Sequence, residues 1–207
     1  SLIPLMPLIG FLVLVCTLGK LPRLWVGLVG AGSIAIAFIL VVLTGLEYLS
    51  QPEPLPYTVN VYTWMQLEGF TTNISFLIDG LSLTMLSVIT GVGFLIHVYS
   101  ALFMWEDKDY SRFFSYMNLF VAAMLLLVLA DNLLVLFVGW EGVGLCSYLL
   151  VGFWHEERAN GAAARKAFVV TRIGDTAMAL GMFLLFIHLG TLDMQAMARQ
   201  ATEIWLP

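Results

Sequence analysis

Glu141 lies inside the apolar run 133–154, in the stretch Gly139-Trp140-Glu141-Gly142-Val143-Gly144-Leu145-Cys146-Ser147-Tyr148-Leu149-Leu150. Such a run is long enough to cross a bilayer as a helix, and at 1.5 Å per residue Glu141 sits roughly 12 Å in, near the midplane. An ionised acid at that depth costs about 3 kcal/mol on insertion scales unless something compensates it. The chemistry that makes use of such a group is the uptake and release of a proton. A carboxyl kept neutral and merely hydrogen-bonding between helices would leave the same mark in the sequence. The acid therefore needs charged neighbours before it acquires a role.

The next apolar run supplies them. Arg172 and Asp175 are three residues apart and so share one helical face. Counting from Lys166, Asp175 is roughly 13 Å in, which matches the depth of Glu141 if the two helices run antiparallel. Arg172 and Asp175 either form a local pair that neutralises itself, or Arg172 is contested by Asp175 and Glu141, so that a shift of charge alters carboxyl proton affinity. Lys166, nearer the helix start, serves either as an interfacial anchor or as a group on a proton path. His97 titrates near neutral pH and is a candidate for feeding protons inward, or else a satisfied helix-end histidine. Asp79, before Gly80-Leu81-Ser82, is expected to cap a helix. Asp131, in Asp131-Asn132, is expected to be an ordinary turn acid. Gly139, Gly142 and Cys146 would let a second helix approach closely, and Thr171, Gly174, Met178 and Gly181 offer a similar face on the sixth run.

Composition decides the setting. Hydrophobic residues make up 60% of the chain and charged residues 11%, where soluble domains run near half and a quarter, so the chain is an integral membrane protein. A net charge of −5 and the lack of a basic stripe exclude nucleic acid as a partner. Cys16 and Cys146 stand apart, with no CxxC or Cys/His cluster, which argues against zinc or an iron–sulfur centre. No GxGxxG or GxxxxGK[ST] is present, so no nucleotide site is read.

The elements that must hold these residues are six expected spans: 3–18, 24–49, 77–104, 113–130, 133–154 and 163–189. The fold class is therefore all-α, a polytopic transmembrane bundle. A loop opening at Gln51-Pro52-Glu53-Pro54 leads into alternating residues 57–63, expected to pair with 71–76 as a small β-hairpin. Residues 193–205 place Met194, Met197, Ala198, Ala201 and Ile204/Trp205 at helical spacing, as in an interfacial helix. Residues 1–76 form an amino-terminal two-helix segment with its loop, and 77–207 begin a second unit. Lys20, Arg23, Lys108, Arg112, Arg158, Arg165 and Lys166 fall in alternate loops, and the opposite loops carry only Arg199. The positive-inside rule makes the basic side cytoplasmic and puts both ends of this chain outside. The first run lacks a basic leader and a cleavage site and reads as a retained helix.

Several stretches together resemble a known family. They are Leu77-Ile78-Asp79-Gly80-Leu81-Ser82-Leu83-Thr84-Met85-Leu86-Ser87-Val88, then Gly91-Val92-Gly93-Phe94-Leu95-Ile96-His97, then Tyr110-Ser111-Arg112-Phe113-Phe114 and Ala130-Asp131-Asn132-Leu133-Leu134. The Glu141 stretch and residues 164–175 complete the set. They resemble the largest antiporter-like membrane subunit of proton-pumping NADH:quinone oxidoreductase, respiratory complex I, called subunit L in bacteria and chain 5 in mitochondria. The resemblance is close over residues 77–192 and looser before them.

That resemblance implies a multi-pass subunit of the bacterial plasma membrane, embedded in lipid beside other membrane subunits. It implies no redox cofactor in this chain, with NADH, FMN, iron–sulfur clusters and quinone handled in other subunits. It assigns proton translocation to Glu141, Arg172 and Asp175. It also implies a lysine partner on a later helix, and the opening Ser1 suggests a piece of a longer protein. A related family, the corresponding chain of a multisubunit sodium/proton antiporter, tends to Thr and Ser after the Trp-Glu pair. Gly142-Val143-Gly144 favours the respiratory complex. A purely structural helical scaffold is the remaining alternative.

Overall fold

The computed structural model describes residues 2–17, 19–53, 55–67 and 70–205. Ser1, the Leu18 end of the first expected span and Pro54 of the expected loop lie outside them, as do the side chains of Ala201, Ile204 and Trp205. In chain order the elements are α1 (Leu5–Cys16), α2 (Arg23–Leu49), β1 (Tyr57–Leu67), β2 (Phe70–Ile78), α3 (Gly80–Phe103), α4 (Tyr110–Leu129), α5 (Leu133–Val151), α6 (Arg158–Leu189) and α7 (Met194–Trp205).

Among the described residues five helices, α2 to α6, are long and apolar enough to cross a membrane. The expected first span is the exception. α1 has 12 residues, roughly 18 Å against a hydrocarbon core of roughly 30 Å. Composition alone marked it as a span, but Pro4 stands at its amino-terminal cap and the backbone hydrogen bonds of its last turn end at Thr17.

Side chains fix where the helices begin. Asp79 caps α3 with a reciprocal box: its Oδ1 accepts from the Ser82 N–H at 2.7 Å, and Ser82 Oγ accepts from the Asp79 N–H at 2.9 Å. Asn132 starts α5 by accepting from the Val135 N–H at 3.0 Å, while its amide donates to the Asn73 carbonyl at 2.8 Å. Gly190, with φ +67°, ends α6 in the left-handed conformation that glycine adopts without strain.

β1 and β2 form an antiparallel hairpin from Tyr57↔Ile78 to Leu67↔Phe70, with register shifts at Asn60/Tyr62 and Thr63/Met65. It is longer than the alternation predicts, because pairing continues past the bulges. Bridges Phe76↔Ala130 and Asn132↔Asp193 join the hairpin, the α4–α5 turn and the start of α7 at one end of the bundle.

α4 is the hub, packed against α1, α2, α3 and α5. One core cluster gathers Ile34, Val41, Leu86, Leu125 and Leu129, and another gathers Leu14, Val26, Met104, Tyr110, Phe114 and Phe153. Small residues permit the closest approach. A Cβ on Gly139 would lie 2.7 Å from the Leu127 backbone, and one on Gly142 would lie 2.9 Å from Ala123 Cβ. By contrast, Gly174 and Gly181 have nothing within 4 Å of such a Cβ, so these two glycines of the face expected on the sixth span make no close helix contact among the described residues. α5 and α6 carry exposed Val138, Leu145, Ile173, Leu180, Phe183 and Ile187. Water would penalise such a surface, whereas lipid tails solvate it.

The end opposite the hairpin collects the basic loops. Lys108 pairs with Glu156, and Arg112 pairs with Asp109 at 3.0 Å while donating to the Phe153 carbonyl at 3.1 Å. Arg23 reaches the Asp107 carbonyl at 3.4 Å. The Trp154 indole donates to Asp107 Oδ2 at 2.9 Å and, as the largest influence, holds that carboxyl below its usual range.

Candidate functional site

α5 and α6 are consecutive helices joined at the basic end, and the groups of interest meet across their interface. Arg172 Nη1 of α6 forms an ion pair with Glu141 Oε2 of α5. The same nitrogen is 3.8 Å from Oδ2 of Asp175, one turn further along its own helix. Asp175 Oδ1 accepts a 2.8 Å hydrogen bond from the Trp140 indole N–H. The three sequence-derived residues Glu141, Arg172 and Asp175 are therefore one cluster, as the matched depths predict.

Burial grades the cluster. The side chain of Asp175 is 9% exposed, that of Glu141 23% and that of Arg172 38%. The guanidinium stacks over the Phe168 ring at 4.7 Å, and Phe168 in turn packs on Tyr148 with ring centroids 5.2 Å apart. This aromatic floor favours a flat, weakly hydrated cation over an ammonium. Beside Trp140 and Asp175, a cleft of about 490 Å³ opens between α4, α5 and α6, lined by Leu127, Gly144, Ser147, Gly174 and Met178.

Charge counting shows what the arrangement can do. Arginine keeps its charge, so two ionised carboxylates beside it leave the cluster at minus one. One added proton makes the cluster neutral, the cheaper state in surroundings of low dielectric. Two carboxylates thus share one cation.

The remaining candidates stand apart. Lys166 is exposed on α6 and has no ion-pair partner among the described residues. His97 is 0% exposed between α3 and α4, donates from Nδ1 to the Gly93 carbonyl at 2.8 Å and faces the Phe114 ring at 6.0 Å. Its Nε2 is buried without a hydrogen-bond partner among the described residues.

Trp140 was not singled out in the sequence, and Asp131, expected to be an ordinary turn acid, lies in the turn but is buried. An indole beside Glu141 looks like ordinary apolar filling, and only its N–H, which needs an acceptor when buried, hinted at more. Asp131 is 5% exposed rather than solvated, because the hairpin folds over it and Ser75 Oγ donates to its Oδ2 at 3.3 Å. Burial first, and then the Asp193 charge, push its carboxyl above the usual range, against hydrogen bonds from Ser75 and Thr58.

Comparison with known proteins bears on both fold and site. Residues 64–114 match the family described as NADH-Ubiquinone oxidoreductase (complex I), chain 5 N-terminus. Residues 130–206, which carry the cluster, match the family described as NADH:quinone oxidoreductase/Mrp antiporter, TM. The chain is 48% identical to NADH-quinone oxidoreductase subunit L of Escherichia coli (strain K12) over 95% of this chain and 32% of that protein. It is 50% identical to the subunit L of Pseudomonas aeruginosa over 92% of this chain and 31% of that one. The chain thus spans about a third of the length of the curated relatives it matches. Among solved structures it is similar in fold to a chain of the Mrp complex from Dietzia sp. DQ12-45-1b. That likeness has a TM-score of 0.74 at 22% identity, over 95% of this chain and 21% of that one.

Proposed function

Because the chain is a homologue of the amino-terminal portion of NADH-quinone oxidoreductase subunit L, we propose that it belongs to a proton-translocating membrane subunit of complex I, with Glu141 as its proton carrier. Electron transfer from NADH through FMN and iron–sulfur clusters to quinone is assigned to other subunits, beside which this one sits in the bacterial plasma membrane. The observation that carries the reading is the single guanidinium of Arg172 placed between the carboxylates of Glu141 and Asp175.

The mechanism needs no covalent step. While Arg172 faces Glu141, the cation favours the ionised carboxylate and the proton leaves. When Arg172 turns to Asp175, Glu141 loses its counter-charge in a medium that disfavours bare ions and takes up a proton. A charge displacement elsewhere in the complex would drive this exchange. Lys166, roughly 9 Å along α6 on the basic side of Arg172, and His97 supply further groups for the path.

The sodium/proton antiporter reading is supported by the fold likeness to the Mrp complex chain. The 48% and 50% identities to subunit L, against 22% for that chain, favour the respiratory complex.

Glu141→Gln in the full-length subunit, assembled in its complex in inverted vesicles, is the direct test. The carboxamide keeps the shape and the hydrogen bond to Arg172 but cannot carry a proton. Fewer protons should move per NADH oxidised, read as dye quenching against NADH absorbance. A ratio equal to wild type removes Glu141 from the path.

A further inference from the structure

We infer that Trp140 is a positioning residue: its indole N–H holds Asp175 and thereby leaves Arg172 to Glu141. This rests on the reading of Glu141 as the proton carrier. Arg172 and Asp175 are one turn apart on α6, a spacing at which oppositely charged side chains ordinarily close on each other. Here they stay within ion-pair range without a hydrogen bond: the nearest approach is 3.8 Å, while Asp175 Oδ1 takes its 2.8 Å bond from Trp140.

The Asp175 side chain is only 9% exposed, and a carboxylate so enclosed needs a donor. Two donors are within reach, the indole and the guanidinium. With the indole engaged, the guanidinium is free to cross to α5 and pair with Glu141. Neighbouring residues of α5 thus send one donor and one acceptor to α6, which returns one acceptor and one donor. The exchange is reciprocal, and losing either bond redirects the other. Without the indole N–H, Asp175 must recruit Arg172, its own helix neighbour. Glu141 then gives up its cation and keeps its proton to higher pH.

The test uses the full-length subunit in its complex, with Trp140→Phe, Asp175→Asn and the double variant. Phenylalanine keeps an aromatic ring and removes the N–H. The pH profile of protons moved per NADH should shift by about one unit toward alkaline pH in Trp140→Phe, the scale of one hydrogen bond to a charged group. In the Asp175→Asn background, where the acceptor carries no charge, Trp140→Phe should add no further shift. An unchanged profile in the single variant, or an equal shift in both backgrounds, overturns the proposal.

Should Trp140→Phe fail to assemble, Asp175→Asn should restore assembly, because a neutral side chain no longer demands the donor. Failure of the double variant to assemble then makes Trp140 a packing residue and overturns the proposal. The thermal midpoints of the same four proteins separate the two ideas. If Glu141→Gln translocates normally, the proton reading fails, and Trp140 is judged by stability alone: non-additive losses support its hold on Asp175, and additive losses overturn it.

Discussion

Glu141, Arg172 and Asp175 stood out in the sequence for a thermodynamic reason. An ionisable residue in an apolar run costs free energy, so its presence demands an explanation that a leucine does not. Trp140 escaped because an indole belongs in a span, and its partner lies 35 residues away across a helix interface. Asp131 was misread on the same principle, since Ser75, which reaches it, lies 56 residues earlier on a strand whose extent alternation understated. Asp131 also permits a pH test outside the membrane-spanning helices. Burial and Asp193 raise its folded-state pKa above the ordinary value near 3.8. The folded protein therefore binds this proton more tightly than the unfolded chain, so the group's contribution is most favourable at low pH and is lost as pH rises through the folded value. Asp131→Asn keeps an acceptor for Ser75 and removes the charge. Its thermal midpoint should rise above wild type by about 2–4 °C at neutral pH, and the gap should close below about pH 4. A gap independent of pH would show that the charge of Asp131 is not what destabilises.

At the scale of elements, hydropathy located the spans, but hydrogen bonding set their ends. α6 begins at Arg158, ahead of the apolar run at 163, because a helical ladder continues into polar sequence that hydropathy does not register. Its 32 residues extend roughly 48 Å, so its first turns project beyond a core of roughly 30 Å. α1 shows the converse, an apolar run whose helix stops short. What the sequence did show about packing was the small-residue seam of α5, and its strength can be measured. Gly139→Ala would place a methyl 2.7 Å from the Leu127 backbone, which cannot rotate away, and should cost about 1–3 kcal/mol. Gly144→Ala has nothing within 4 Å and should be neutral or stabilising by up to about 1 kcal/mol, since alanine favours the helix over glycine. Thermal unfolding of the pair in detergent reads the difference. Equal effects at both positions would mean that α4 and α5 are not held at the separation described.

For the whole molecule, the alternation of basic and non-basic loops becomes a physical asymmetry between two ends. Arg23, Lys108 and Arg112 are drawn together with Asp107, Asp109 and Glu156 where the α1–α2, α3–α4 and α5–α6 loops meet. The far end is built from the hairpin, Asp131 and the start of α7. How α4 came to organise the bundle was not legible, because its faces are apolar nearly all round and any of them could have been the inner one. Sidedness is an expectation from summed charge and not from packing. Translocation of basic loops is disfavoured, so the Lys108 end should face the cytoplasm and the hairpin the outside. Single cysteines at two exposed positions decide it, in a background of Cys16→Ser and Cys146→Ala. Thr63→Cys, on β1, should react with a membrane-impermeant maleimide in intact spheroplasts. Glu106→Cys, between α3 and α4, should react only after the membrane is opened. The reverse pattern would turn the bundle over, place Lys166 on the outer side of Arg172, and require any proton passing through Glu141 to meet these groups in the opposite order.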